Sequence, residues 1–351
     1  MSEAPDAETP RRAVPSHHGP NGTFRNPWGL SESRFGGLLK WRWNRIRHPL
    51  PPDAGAATLH PRAPSIRTPR APVNEIAITW VGHSTLLVQL GTLNLLIDPV
   101  WGERASPWRS LGPRRVVPAT VALTELPPID IVLLSHNHYD HLDAYTVRAL
   151  ARAHPETRWV VPLRLAKLVH SLGVRDVAEL DWWNELRIGD ATVACVPARH
   201  FSARTPFDRN RTLWCGFAVT TPAGRFFYAG DTGNHPEFAE IGRRFGPFDA
   251  CALPIGAYEP RWFMHPVHLD PDEAVAAFRT LHDPHGMSRH AAFVAVHWGT
   301  FRLTDEPLLE PPRRAKEAWT RDGLAPDNLW IMAHGETRVM QKTTEDRGPW
   351  K

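Results

Sequence analysis

The pattern of apolar and polar positions changes near residue 74, and from there onwards it predicts a series of strands and helices. The first strand candidates are 76–80, 85–90 and 93–97, where apolar and β-branched residues run between turn residues. Further strand candidates are 129–134, 158–161, 191–196, 214–220, 225–229, 249–255, 291–296 and 329–333. Helical patterns occur at 143–153, 163–171, 235–244 and 270–281. Many strands with interspersed helices predict an α/β protein of stacked sheets flanked by helices.

The first 72 residues have a different texture. Residues 1–22 are polar, contain prolines and lack periodicity, so we predict a disordered tail. Residues 23–72 form an N-terminal extension that ends in a Pro-rich linker, and within it 38–47 mixes large apolar with basic side chains. This mixture predicts a short amphipathic helix, which lies either on a membrane surface or against the main domain. We expect the main domain at 73–340 and a C-terminal tail at 341–351.

Composition narrows the class of protein without choosing a function. The 351 residues are 42% hydrophobic and 22% charged, as is ordinary for a globular protein. The three cysteines, Cys195, Cys215 and Cys251, fall in or beside strand-like runs and are read as buried, reduced thiols. No secretory signal and no run of about 18 apolar residues is visible, so we expect a cytoplasmic location. The formal charge of +4 is compatible with lipid, phosphate-ester or nucleic-acid partners.

The strongest candidate for chemistry is a short loop that follows the apolar run 129–135. It holds three imidazoles and a carboxylate within six positions, at His136, His138, Asp140 and His141. Nitrogen ligands mixed with a carboxylate suit zinc and tolerate manganese or iron. One short loop cannot wrap all four groups around a single ion in tetrahedral geometry. The loop therefore predicts two neighbouring ions, with the first two histidines on one ion and Asp140 with His141 on the other.

Three more candidate ligands follow other predicted strands. His200 comes after 191–196, Asp231 after 225–229, and His297 after 291–296. Ligands at strand ends are typical of sites that a rigid sheet supports. Together with the loop, these residues give two sets of three ligands and one bridging carboxylate.

The seven residues resemble the signature of the metallo-β-lactamase fold, an αββα sandwich. Longer strings resemble one branch of that fold, the N-acylphosphatidylethanolamine-hydrolysing phospholipase D enzymes. These strings lie at 24–28, 80–85, 126–130, 180–183, 229–233, 241–249, 254–264, 297–301 and 334–338. The resemblance runs from about residue 24 to 338. It predicts the αββα sandwich with an N-terminal extension as the fold class.

Carried over to this chain, the resemblance implies two Zn²⁺ per chain and a set of site residues. One zinc is held by His136, His138 and His200, and the other by Asp140, His141 and His297, with Asp231 as the bridge. Asp231 and His268 are the implied catalytic residues, and Tyr139 and His268 the implied contacts of the substrate phosphate. Further candidate substrate contacts are Arg204, Tyr258, Glu259 and Trp262, the last three in a segment that is almost as easily a structural loop. The chain departs from the family pattern at Ala203 and Val267, where the family has a lysine and a glutamine.

The implied reaction is hydrolysis of N-acylphosphatidylethanolamine to N-acylethanolamine and phosphatidic acid. A hydroxide that bridges the two metal ions is expected to attack phosphorus, and His268 is a candidate to protonate the departing alkoxide. The implied partners are a phospholipid, the inner face of a membrane and a second copy of the chain, without nucleic acid. Two alternatives stay open. One is another hydrolase of the fold, such as a sugar-phosphate lactonase or a nucleic-acid phosphodiesterase, and the other is a non-catalytic scaffold with a vestigial site.

The remaining histidines and one aspartate receive structural interpretations. His83 and Asp98 lie beside predicted strands and are interpreted as groups that orient the metal ligands or form turns. His334 is read in the same way or as a core histidine. His17 and His18 lie in a polar segment and are interpreted as incidental.

Overall fold

Two seven-stranded mixed sheets form the centre of the protein. The computed structural model describes residues 15–29, 34–108, 110–283, 285–286 and 291–341. The first sheet contains β1 (Glu75–Gly82), β2 (Thr85–Leu90), β3 (Leu93–Ile97), β4 (Ile131–Leu133), β5 (Arg158–Pro162) and β6 (Val177–Leu180). The second sheet contains β7 (Glu185–Ile188), β8 (Ala191–Val196), β9 (Gly216–Thr221), β10 (Gly224–Tyr228), β11 (Ala250–Pro254), β12 (Ala292–Val296) and β13 (Leu329–Trp330). The last strand, β14 (Thr337–Gln341), returns to the first sheet beside β1.

Each sheet joins an antiparallel part to a parallel part. The order is β14-β1-β2-β3-β4-β5-β6 in the first sheet and β13-β12-β11-β10-β9-β8-β7 in the second. Strands β3 to β6 run parallel, and so do β10 to β13. Parallel strands end at one edge of their sheet, and this arrangement gathers the loops that follow β4, β10 and β12.

Helices cover the outer faces of both sheets. Successive side chains of a strand point to opposite faces, so each sheet has an inner apolar face and an outer one that the helices bury. Ile76, Ile78 and Trp80 of β1 belong to the core between the sheets, whereas Val81 belongs to an outer cluster. That outer cluster includes buried residues of α2 (Ala144–Ala153) and α3 (Ala166–Ser171). Helices α4 (Glu237–Phe245), α6 (Pro271–His282) and α7 (Glu310–Arg321) contact one another and bury apolar residues against the second sheet. The predicted αββα class is confirmed.

The predicted elements differ from the structure mainly at sheet edges. Strand β8 has the predicted bounds, and α6 begins as the sequence indicates, with Asp270 capping the helix by accepting from Glu273 N at 2.9 Å. The short strands β6, β7 and β14 and helix α7 were not predicted. Helix α7 carries prolines at 311 and 312 in its first turn, where a missing N–H costs little.

The N-terminal extension lies against the sandwich, which corrects one prediction. Residues 15–22 were assigned to a disordered tail, but His17 and His18 each place Nε2 within 2.8 Å of a carboxylate oxygen of Asp181. The amphipathic helix predicted at 38–47 is present as α1 (Arg34–Arg47). It packs against α5 (Arg261–Met264). The tails at 1–14 and 342–351 lie outside the described residues.

Candidate metal centre

Two strand ends bring the first candidate ligands together. Strand β4 ends at Leu133, and the chain then enters the loop that begins at His136. Strand β10 ends at Tyr228 and is followed by Gly230 and Asp231. Gly230 has φ +62°, and a Cβ there would lie 2.5 Å from the carbonyl oxygen of Cys215. Only glycine fits this approach, and it sets the path that carries Asp231 into the site.

The first ligand set consists of three histidines. Their inward nitrogens are close to one another, with His136 Nε2 at 2.8 Å and His200 Nε2 at 3.3 Å from His138 Nδ1. Asp231 Oδ2 lies 3.9 Å from His136 Nε2 and 3.7 Å from His200 Nε2. The donor atoms of these four residues all lie within 4.8 Å of one another.

The second ligand set lies on the other side of Asp231. Asp140 Oδ2 is 3.4 Å from Nε2 of His141 and 3.4 Å from Nε2 of His297. Asp231 Oδ2 is 3.2 Å from the first of these nitrogens and 3.1 Å from the second. One carboxylate oxygen therefore faces two imidazoles of each set, as a bridging ligand must.

The donor atoms fit a binuclear metal site. His141 Nε2, His297 Nε2 and Asp231 Oδ1 are buried and have no hydrogen-bond partner among the described residues. Buried polar atoms are almost always paired, so facing donors of this kind indicate groups arranged for cations. Histidine nitrogens with carboxylate oxygens suit zinc and also manganese or iron.

Charges within the centre favour cation binding. Burial alone would raise the pKa of Asp231, but the neighbouring His141 and His297 hold this pKa well below its ordinary value. The pKa of Asp140 is likewise lowered against the effect of burial, first by His141. Burial lowers the pKa of His136 well below its ordinary value. Two ionised carboxylates among imidazoles give the centre the charge that divalent ions require.

Residues behind the ligands hold them in place. Asp98 accepts the backbone N–H of Ser135 at 2.7 Å and the Tyr228 hydroxyl at 2.5 Å, and it pairs with His141 Nδ1 at 2.7 Å. His83 Nε2 lies 2.9 Å from Asp140 Oδ2. Burial and the charge of the nearby His297 lower the pKa of His83 to about 3, so it is neutral. This placement agrees with the orienting roles predicted for His83 and Asp98.

A cleft of about 670 Å³ opens onto the centre. Members of both ligand sets line it, together with the bridging Asp231 and with His268. Helices α1 and α5 and a loop near residue 303 give it an apolar wall of Leu38, Trp41, Phe263, Met264 and Leu303. A further group of lining residues comes from the segment 201–209. Candidate metal ligands and a large apolar surface thus share one cleft, as is usual for a ligand-binding site.

Most of the predicted substrate contacts lie elsewhere. Of that group only His268 lines the cleft. The Tyr139 hydroxyl donates to the carbonyl of Arg204 at 2.9 Å, and the guanidinium of Arg204 donates to carbonyls of the ligand loop. The Tyr258 hydroxyl donates to Glu310 at 2.7 Å. These side chains support the site and do not face the cleft.

Two further predicted contacts lie near helix α5. Glu259 accepts the backbone N–H of Arg261 at 3.0 Å, and Trp262 is 52% exposed beneath the ammonium group of Lys40. Neither residue is part of the cleft lining. His334, for which two interpretations were open, pairs with Thr300 Oγ1 at 2.9 Å and lies against Trp80.

Sequence reasoning missed Phe201 and Arg209 in the cleft. The Phe201 ring contacts the rings of His138 and His200, with centroids at 4.7 and 4.8 Å. The guanidinium of Arg209 lies 4.6 Å from the centroid of Phe201, on the exposed rim. One feature of the sequence could have indicated them: both residues lie in the irregular segment that directly follows the candidate ligand His200.

The fold and the centre define a class, the metal-dependent hydrolases built on an αββα sandwich with a binuclear site. Residues 93–298 match the family described as the beta-lactamase superfamily domain. The chain belongs to this superfamily, the metallo-β-lactamase superfamily of hydrolases. The domain begins after the N-terminal extension, between residues 75 and 93.

Two proteins of this superfamily are similar in sequence to the chain. The chain is 42% identical to N-acyl-phosphatidylethanolamine-hydrolyzing phospholipase D 1 of Caenorhabditis elegans over 68% of each protein. It is 43% identical to an uncharacterized protein of Mycobacterium tuberculosis over 70% of this chain and 64% of that protein. The chain thus spans about two thirds of the length of these relatives, and it is as similar to a protein without an assigned activity as to a phospholipase.

Solved structures support the fold alone. A metallo hydrolase from Ignicoccus hospitalis is 21% identical and superposes with a TM-score of 0.57, covering 77% of this chain and 100% of that one. The metallo-beta-lactamase fold protein YhfI of Bacillus subtilis is 15% identical with a TM-score of 0.50, over 76% of this chain and 100% of that one. Within the described residues, no helix combines the length and apolar character needed to cross a bilayer.

Proposed function

We propose that the protein is a phosphodiesterase of phospholipase D type that hydrolyses N-acylphosphatidylethanolamine to N-acylethanolamine and phosphatidic acid. One observation carries the proposal: the cleft places an apolar wall directly beside the candidate metal centre. Such a cleft suits a substrate with a charged reacting group and a long apolar tail. The name of the Caenorhabditis elegans relative agrees with this substrate class.

The two ligand sets would hold two divalent ions, for which we propose zinc. Bound there, the ions would supply charge neutralisation for a phosphodiester and a water that is acidic near neutral pH. The chain's own part is to position the reacting groups. Asp231 holds both sets in register, because its Oδ2 lies within 4 Å of a nitrogen from four different histidines.

His268 is the proposed proton donor to the departing alkoxide. It lines the cleft and is buried to 8% exposure, with its ring 5.1 Å from that of His200 and 5.4 Å from that of His297. Its backbone N–H donates to the carbonyl of Met264 at 3.0 Å, which fixes it just after helix α5. An imidazole at this position can carry a proton into the cleft near neutral pH.

Arg209 is the proposed contact for the anionic oxygens of the substrate. Its guanidinium lies over the ring of Phe201 and forms no ion pair with any of the described residues. Ala203 and Val267, which also line the cleft, offer no polar side-chain group. Arg209 is thus the cationic side chain of the cleft lining, and phosphate oxygens are a natural partner for a guanidinium.

We further propose that the outer face of helix α1 binds a membrane surface. The inner face is docked, since Trp41 Nε1 donates to Asp305 at 2.9 Å and Arg45 Nε donates to it at 2.7 Å. The outer face exposes three apolar side chains and three cations: Leu39, Trp43, Ile46, Lys40, Arg42 and Arg47. This combination suits anionic headgroups with shallow apolar insertion. Association into a homodimer stays a prediction.

The reaction is tested with vesicles of N-acylphosphatidylethanolamine in water enriched in ¹⁸O. We expect N-acylethanolamine and phosphatidic acid, with the label in the phosphate group as read by mass spectrometry. Label in a released fatty acid would overturn the proposal, because it requires attack on a carboxyl ester. Absence of turnover with this lipid, alongside hydrolysis of a sugar-phosphate lactone or of RNA, would replace it by one of the other hydrolase activities.

The membrane part is tested by replacing Leu39, Trp43 and Ile46 together with serine. We expect this variant to lose salt-sensitive binding to vesicles that contain phosphatidylglycerol, while its hydrolysis of soluble bis(4-nitrophenyl) phosphate stays at the wild-type rate. Val73→Ser is the matched control, because Val73 is 69% exposed beside β1 and away from the cleft lining. Undiminished vesicle binding by the triple variant would contradict the proposal.

A further inference from the structure

A segment outside the family domain contacts the backbone of His200, one of the candidate metal ligands. Residues 15–29, here called the strap, precede the matched domain by more than sixty positions. One part of the strap is tied to the loop after β6, where His17 stacks on Trp182 with centroids 4.3 Å apart and bonds Asp181 at 2.6 Å. Trp28, near its other end, stacks between Trp182 and His235. Contacts of this kind fix the strap on the domain.

Between these anchors the strap contacts the segment that carries a metal ligand. Asn26 is buried, and its Nδ2 donates to the backbone carbonyl of His200 at 2.7 Å. Phe24, also buried, donates its backbone N–H to the carbonyl of Asn210 at 2.8 Å. The residue before the ligand, Arg199, donates Nη2 to the carbonyl of Gly29 at 2.9 Å. The strap thus holds both ends of the segment 199–210.

The segment needs this support because it has no regular structure of its own. Strand β8 ends at Val196 and β9 begins at Gly216, and the isolated bridge between Arg199 and Gly233 stops one residue short of the carbonyl of His200. A buried carbonyl without a donor is costly, and Asn26 supplies the donor for this one. The side chain of His200 is held separately, by Nδ1 near the carbonyl of Val267 at 3.0 Å.

We infer that Asn26 is a positioning residue for the metal centre, which acts through the backbone of His200 and sets the affinity of the ion held by His136, His138 and His200. The inference concerns metal retention and does not depend on the identity of the substrate. Loss of a group that orients a ligand typically lowers metal affinity about 10–100-fold. Among the described residues, the strap makes no hydrogen bond to Asp140, His141 or His297, so the ion that these three would hold should be unaffected.

The test compares metal release from the full-length, metal-loaded protein and its variants, using a chromophoric zinc chelator as the probe. For Asn26→Leu we expect one of two ions to bind about 10–100-fold more weakly and the other to match wild type. Thr23→Ala is the matched control, because its hydroxyl bonds only the carbonyl of Pro20 within the strap. In a His200→Ala background, Asn26→Leu should cause no further loss. Equal weakening of both ions, or wild-type retention of both, would overturn the inference.

A second measurement uses the wild-type protein and so does not depend on a variant that folds. Coupling between sites is reciprocal, so removal of the ions should loosen the strap. Hydrogen exchange followed by mass spectrometry should show faster exchange of the Phe24 amide and its neighbours after chelation. Helix α7, which bonds neither the strap nor the segment 199–210, is the internal reference. Unchanged exchange in the strap of a demonstrably metal-free protein would contradict the inference.

Discussion

The two ligand sets of the metal centre differ in what supports them. His141 of the second set is backed by Asp98, which is fully buried and also receives a hydroxyl from Tyr228 in the opposite sheet. His200 of the first set stands in an irregular segment and is backed by a side chain from the N-terminal extension. The second set is thus held within the sandwich, whereas one ligand of the first set, His200, is supported by the N-terminal extension. The family domain contains all seven candidate ligands. It does not contain Asn26, whose side chain holds the backbone of His200.

The largest effect should come from Asp231, because it faces both ligand sets. Asp231→Asn removes the negative charge that faces four histidines, so both ions should be weakened and turnover should fall below detection. Metal content by plasma emission spectroscopy, with turnover of the lipid substrate, checks this. Asp130→Asn is a suitable control, since Asp130 precedes β4 and pairs with Arg70 instead. A variant that keeps both ions at wild-type affinity would remove Asp231 from the bridging position.

A substitution at His268 tests whether turnover can be lowered without weakening metal binding by either ligand set. For His268→Ala we expect turnover to fall about 10²–10⁴-fold, the usual range for loss of acid–base assistance. Metal content should stay at the wild-type level. A variant that has lost an ion would instead identify His268 as a ligand, which its distance from His297 and Asp231 permits.

Asp98 addresses the comparison directly, since it pairs with His141 of the second set, which Asn26 does not reach, and it contacts His136 of the first set only through the Ser135 hydroxyl. Asp98→Asn weakens the partner of His141 Nδ1, and we expect about a 10–100-fold loss of affinity for the second ion. The chelator assay should then show a loss at the second ion, which Asn26→Leu leaves at the wild-type affinity. Asp305→Asn is the control, because Asp305 anchors helix α1 and contacts neither ligand set. Identical traces for the Asp98 and Asn26 variants would mean that the two ligand sets are not separately supported.

The smallest effect is expected at Arg209. Its guanidinium lies over the ring of Phe201, and that ring contacts His138 of the first ligand set. Arg209→Gln should raise the KM for the phospholipid about tenfold, because one exposed charge-assisted contact is lost. Arg209→Lys should recover part of the loss. Retention of both ions should be unchanged, as the side chain is separated from the donors by an aromatic ring. A kcat effect with unchanged KM would place Arg209 in a different role.

The sequence was informative about ligands and much less so about their surroundings. The structure brings His200, Asp231 and His297 close to the loop, because strand ends of one sheet meet at one edge. The cleft wall was not predictable, since Leu38 and Trp41 come from a helix whose docking depends on Asp305, more than 250 positions away. The resemblance implies Tyr139 as a substrate contact, but its hydroxyl donates to the carbonyl of Arg204. The ion pairs of His17 and His18 were not predictable either, because their partner, Asp181, is 164 and 163 positions away in sequence.

The contact between Asn26 and His200 has a consequence for how the molecule is made. The two residues are 174 positions apart, so the bond closes a loop that contains most of the sandwich. Contacts between such distant residues form late, because the intervening chain must first be ordered. During synthesis the strap leaves the ribosome early, and it has to wait for its binding place until β8 and the segment after it are complete. We therefore expect the first ligand set to reach its full metal affinity only after the strap has docked on the completed domain.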